Sequence, residues 1–241
     1  MIWKDEPVIV AGSGPSLTTE VARAVRMARW LDRWRVLAVN DAYKVLPFAD
    51  AMYACDWPWW RKHDGAKDFK GQRYTSHSLD PSLADDKSAV AHEFPDIKML
   101  PARNGAGFGR DVIHYGIGGS SGFQAVNLAI NFGASRIVLV GFDYRHIGAK
   151  SHFFGDHEGL RQATDEHYRD LARAFGPAPV PIVNATPGSA IGCYPAMALS
   201  EALQTVSNGH RMVPQAVAMG RGVTETSDGK VSNYQDQHFG A

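Results

Sequence analysis

The chain has 241 residues, 44% of them hydrophobic, which is enough for one large domain whose core needs no disulfide or metal staple. Its 25 basic and 25 acidic side chains cancel, so no global field draws it to nucleic acid or to a membrane surface. Cys55 and Cys193 each stand alone, no apolar run approaches the roughly 20 residues of a membrane span, and Met1-Ile2-Trp3-Lys4-Asp5-Glu6 lacks a signal-peptide core. These features predict a cytoplasmic protein without a membrane span.

Pro7-Val8-Ile9-Val10-Ala11 is a short apolar run ending in glycines, the form of a parallel strand buried on both faces. Leu17, Val21, Ala24, Val25 and Ala28 then recur at helical spacing, with Pro15 placed for a first helical turn, so a helix is predicted to about Arg33. Strands follow at Arg35–Val39, ending at Asn40-Asp41, and at Ala51–Cys55, ending at Asp56. A Trp-rich helix to about His63 and strands at Gln72–Thr75 and Ile97–Leu100 are expected next. Asn104–Gly122 is dense in glycine and reads as a loop. Ser120 or Ser121 opens a helix that closes at Gly133, followed by the clearest buried strand, Arg136–Val140.

A polar loop, Gly141–Gly159, leads into a helix through Ala163, Tyr168, Leu171 and Ala172, a strand at Val180–Val183 and a last helix from about Pro195 to Val206. Such alternation predicts a single α/β domain, residues 1–208, with a Rossmann-like, doubly wound, mostly parallel sheet covered by helices on both faces. Residues 209–241 turn polar and aperiodic and are expected to form an extended or partner-dependent tail. A homo-oligomer remains open, and Trp3, Trp30 and Trp34 read as packing residues.

The loop Gly12-Ser13-Gly14-Pro15-Ser16 lies between a strand and a helix, where backbone N–H groups and about half a positive charge favour phosphate. Leu17 occupies the third glycine position of a dinucleotide fingerprint and no Gly-Lys-Ser/Thr follows, so neither NAD nor a P-loop is expected; a tight turn could use the same residues. Asn40, Asp41 and Asp56 end successive strands, where they could read a base edge or a ribose hydroxyl, or simply cap turns. The stretch Ser151-His152-Phe153-Phe154-Gly155-Asp156-His157-Glu158 brings imidazoles and carboxylates to the loop after the strongest strand, the best place for a general base. A metal set built on His152, Asp156 and His157 matches no common zinc spacing. Trp57, Trp59 and Trp60 could stack on a base or form a core edge.

Together, Val8 to Leu17, Val39-Asn40-Asp41, the helix opening at Ser121-Gly122 and Val138-Leu139-Val140-Gly141-Phe142-Asp143-Tyr144 resemble a superfamily of nucleotide-using transferases. Its members include bacterial CMP-sialic acid transferases, flagellin-glycosylation accessory factors, archaeal hydroxymethylpterin diphosphokinase-like proteins and phage-encoded relatives, the last being the nearest in pattern. The resemblance runs from the first strand to Asn184 and implies nucleotide contacts at Gly12, Ser13, Gly14, Pro15, Ser16, Asn40, Asp41, Ser120, Ser121, Gly122, Gly141, Asp143 and Tyr144, to which its strand-end position adds Asp56. Ser13 stands where the sialyltransferases carry an asparagine, and Asp156, flanked by His152 and His157, stands where the family's catalytic histidine follows a glycine.

The leading expectation is a glycosyltransferase-like enzyme that takes a nucleotide sugar and a hydroxyl acceptor. In it Gly12–Ser16 lie near the phosphates, Asn40 meets the nucleoside, and His157, His152 or Asp156 serves the acceptor, with no cofactor required. One alternative is a diphosphokinase-like transferase using ATP, with Mg²⁺ held by Asp56, Asp143 and Asp156. A third is a nucleotide-binding or interaction module without turnover. Charge indicates no nucleic-acid partner.

Overall fold

Pro7–Ala11 forms β1, and its last four residues are buried because successive side chains point to opposite sheet faces that are both covered. Val8 and Val10 join one apolar cluster and Ile9 and Ala11 the other. The computed structural model describes residues 2–32, 34–79, 90, 93–116, 119–155 and 163–204, all within the compact unit Met1–Asn208. The expected tail, 209–241, lies outside the described residues.

Helix α1 covers Thr19–Leu31 and starts later than predicted. The side chain of Thr18 accepts a hydrogen bond from the Val21 amide and caps the helix there, so Pro15 and Ser16 belong to the preceding turn. Strand β2, Arg35–Val39, pairs parallel to β1 and runs into a short 3-10 turn, Asn40–Lys44. Strand β3 is Ala51–Tyr53 and helix α2 is Trp57–Lys62, whose Trp59 and Trp60 are core residues. Strands β4, Gln72–Ser78, and β5, Lys98–Arg103, extend the sheet.

The glycine-rich stretch expected as loop contains a further short strand, β6, Ile113–His114, paired to β5. Its organiser is distant in sequence. The Asn127 Oδ1 atom accepts from the amides of Gly109 and His114, each at 2.9 Å, and its Nδ2 donates to the Gly109 carbonyl. Asn127 stands on α3, Ser121–Asn131, and is fully buried.

Strand β7, Arg136–Val140, pairs with β1 on the side opposite β2, and β8, Ile182–Asn184, pairs with β7. Helix α4, Asp165–Ala172, precedes β8, with the Thr164 side chain accepting from the His167 amide. Helix α5, Leu199–Gln204, starts later than predicted. Residues 195 and 196 instead run alongside β8, with the Asn184 amide donating to the Pro195 carbonyl and a parallel bridge from Asn184 to Ala196.

The result is an eight-stranded parallel sheet in the order β6-β5-β4-β3-β2-β1-β7-β8. Helices α1, α2 and α5 supply buried residues to one face and α3 and α4 to the other, which makes the fold α/β and Rossmann-like. Strand order reverses at β1, so β1 and β7 diverge at a topological switch point. Trp3 and Trp34 pack inside as expected, whereas Trp30 is 69% exposed on α1. No helix among the described residues is long and apolar enough to cross a membrane.

Candidate functional site

At the switch point the ends of β1 and β7 come together through backbone alone. The Gly12 amide donates to the Val140 carbonyl at 2.8 Å and the Gly14 amide to the Gly141 carbonyl at 2.9 Å. A Cβ on Gly12 would lie 2.5 Å from the Gly141 carbonyl oxygen, and one on Gly141, where φ is +69°, would lie 2.5 Å from that of Gly12. Only glycine at both positions permits this approach.

The same geometry engages most of the amides in the Gly12–Ser16 loop, where phosphate contacts were expected. Of the loop's four amides, those of Gly12 and Gly14 bond to β7 and its exit, and that of Ser16 bonds to Asp143 Oδ2 at 3.3 Å. Ser16 Oγ donates to the same carboxylate oxygen at 2.8 Å, and Ser13 Oγ donates to the Val39 carbonyl. These donors serve the fold, and a carboxylate beneath the loop disfavours a phosphate above it.

Around this floor lies a cavity of about 300 Å³ lined by Gly12, Ser13, Gly14, Val39, Asn40, Asp56, Gly119, Ser120, Ser121, Gly122, Gly141, Phe142, Asp143, Tyr144, Ser151, His152, His167, Tyr168 and Leu171. Eleven of the fourteen residues expected at the nucleotide converge there with His152, most of them at strand ends. Pro15 and Ser16 do not line it, and Ser16 Oγ bonds to Asp143 instead. Asp41 turns away, because Asn40 takes a left-handed φ of +49° that redirects the chain. Its buried carboxylate meets Lys44, Trp59 Nε1 at 2.8 Å and His63 at 3.4 Å. Burial pushes the Asp41 carboxyl up, but Lys44, Trp59 and His63 outweigh it and hold the group below its ordinary value.

Asp143 is only 1% exposed, and burial raises its carboxyl against the lowering effect of the Ser16 hydrogen bonds. Its Oδ1, like the Oδ1 of Asn40, has no hydrogen-bond partner among the described residues. Tyr144 follows at φ +48°, with its hydroxyl 2.6 Å from Ser120 Oγ and its phenol pushed well above its usual value by burial. That contact leaves Ser120, the N-cap of α3, with no side-chain bond to the helix amides. Ser121 Oγ is also engaged, accepting from the Cys55 amide at 3.1 Å and donating to Cys55 Sγ at 2.9 Å. The first turn of α3 therefore faces the cavity without a capping side chain, the arrangement that attracts an anion.

His152 enters from a tight turn closed by the His152–Gly155 pairing and anchored by the Phe153 amide, which donates to the Ser13 carbonyl at 3.0 Å. Its Nδ1 lies 2.8 Å from Ser151 Oγ and its ring stacks on Phe154. Asp156 and His157 lie outside the described residues. His167, Tyr168 and Leu171 are wall residues that the sequence did not single out as chemistry, because helical spacing alone does not say which face meets a cavity. Trp57, Trp59 and Trp60 do not line it. The magnesium set expected in the diphosphokinase alternative, Asp56, Asp143 and Asp156, includes a residue outside the described ones; among the described residues no group of three His, Cys, Asp or Glu could hold a metal ion.

No family model matches the chain and no curated protein matches it. Among solved structures it is similar to the MAf glycosyltransferase from Magnetospirillum magneticum AMB-1, with a TM-score of 0.50 and 16% identity over 82% of this chain and 34% of that one. The chain thus spans about a third of that protein's length, and a likeness at this identity establishes a shared fold.

Proposed function

We propose that the switch-point cavity binds a nucleotide-activated sugar and that the chain is a glycosyltransferase-like enzyme acting on a hydroxyl acceptor. The observation that carries the reading is the convergence of Asn40, Asp56, the uncapped start of α3 and His152 around a bare glycine floor. The shared fold with a glycosyltransferase agrees with it. In this reading the phosphates sit at the amides of Ser121 and Gly122 rather than on the Gly12–Ser16 loop, where the Gly12, Gly14 and Ser16 amides are engaged. Asn40 contacts the nucleoside, and Tyr144 and Ser120, already joined by a hydrogen bond, flank the leaving group. His152, held by Ser151, takes the acceptor proton, with His157 as its rival for that role.

The test is a thermal-shift and calorimetric screen of nucleotides and nucleotide sugars, with and without Mg²⁺. A ligand at 100 times its Kd stabilises by about 2.7 kcal/mol. A metal-independent shift with one nucleotide sugar names the donor; no shift with any compound at millimolar concentration refutes the reading.

A further inference from the structure

Helix α4 has a second cavity on its other flank. Of about 320 Å³, it is walled by Arg169 and Arg173, floored by Ala172, Phe175 and Ala190, and bounded by Gly192. Arg169, Ala172 and Arg173 face this side, whereas His167, Tyr168 and Leu171 face the switch-point cavity. Phe175 separates the two, its ring packed edge-on against Phe142 and Tyr144, which line the first.

The two guanidiniums stand one helical turn apart, the spacing at which side chains share a face. Asp165, the carboxylate one turn before Arg169, is held by His146, accepting from its amide at 3.1 Å and lying 2.6 Å from its Nδ1. Arg169 has no salt-bridge partner among the described residues. Among the described residues Arg173 pairs only with Asp170, and at 72% and 48% side-chain exposure that contact competes poorly with a better anion. Two available forks beside an apolar floor suit a dianion attached to a flat or apolar group.

We propose that this cavity is a second ligand site, taking a phosphoryl group whose organic substituent lies on Phe175, Ala172 and Ala190. It stands independently of the switch-point reading, since none of its named wall residues belongs to the first cavity.

Phenyl phosphate, inorganic phosphate and benzoate would be titrated by calorimetry into the wild type, Arg169→Gln, Arg173→Gln, the double variant and Asp170→Asn. Phenyl phosphate is expected to bind several-fold more tightly than inorganic phosphate, which leaves the floor uncovered, and than benzoate, which carries one charge. Each arginine variant should weaken phenyl phosphate about tenfold, the loss of one charge-assisted contact. Asp170→Asn should strengthen it several-fold by releasing Arg173, a gain that loss of structure cannot mimic. The proposal fails if phenyl phosphate does not saturate, if its affinity ignores the double variant, if Asp170→Asn weakens it, or if benzoate binds as well.

Discussion

The carboxylate of Asp143 fills the space that a side chain on Gly14 would need: a Cβ built there lands on Asp143 Oδ2 and lies 2.6 Å from the Gly141 carbonyl oxygen. Gly14→Ala must therefore push the loop off β7 or expel the carboxylate from its bonds to Ser16. A loss of about 1–3 kcal/mol in urea unfolding is expected, the usual cost of overpacking. Adding Asp143→Ala to Gly14→Ala should recover only part of it, because the carbonyl contact remains. Full recovery would show that the Gly141 contact costs nothing.

Two buried carboxylates should impose opposite pH dependences on stability. The Asp143 carboxyl is raised above its unfolded value, so its favourable contribution is complete below about pH 4 and is lost as pH rises through the folded value. The Asp41 carboxyl is lowered, so its contribution is present above about pH 4 and is lost as pH falls through the folded value. Compared with the wild type between about pH 3 and pH 7, Asp143→Asn should gain relative stability with rising pH and Asp41→Asn should lose it. Urea midpoints at several pH values decide this, and parallel curves for both variants would contradict the assigned directions.

Strands β1, β2 and β7 were legible to the residue, because a five-residue apolar run buried on both faces has few other ways to fold. The strand-end placement of Asn40, Asp56 and the Gly141–Tyr144 segment followed from the same pattern, while the part that Ser120, Ser121, Gly122, Gly141, Asp143 and Tyr144 take in the wall was expected from the family resemblance. What sequence could not give is decided between distant segments. Whether the Gly12–Ser16 amides are available depends on β7 and Asp143, more than 120 positions away. The split between Asn40 in the cavity and Asp41 in a buried ion pair comes from one left-handed residue. Strand β6 exists because Asn127 ties Gly109 to His114, a tertiary bond that local composition does not encode.

Asn40 separates backbone strain from ligand contact. Asparagine tolerates a left-handed φ better than other residues with a side chain, and glycine better still. Asn40→Ala should cost about 1 kcal/mol of stability from the backbone, while Asn40→Gly should cost less. Both remove the amide and should weaken the nucleotide ligand about tenfold, the worth of one buried hydrogen bond of about 1.4 kcal/mol. Affinity that follows stability across the two variants would mean that Asn40 shapes the loop without touching the ligand.

His152 and His167 face the same cavity from different elements, and their chemistry should differ accordingly. The His152 Nδ1 is held by Ser151 Oγ, and the turn behind it is pinned to Ser13, so the ring has the fixed orientation that a general base needs. His167 is exposed on the first turn of α4 with its backbone amide, not its ring, bonded to Thr164. On the proposed reading, in which the imidazole takes the acceptor proton, His152→Ala should lower kcat about 10²–10⁴-fold with the nucleotide-sugar Kd nearly unchanged. His167→Ala should raise KM with a smaller effect on kcat, the pattern of a lost binding contact. Ser151→Ala should fall between the wild type and His152→Ala in kcat, because the base remains but its ring is released. If His152→Ala leaves kcat intact, the proton passes to another group, and His157→Ala in the same assay identifies or excludes the nearest rival in sequence.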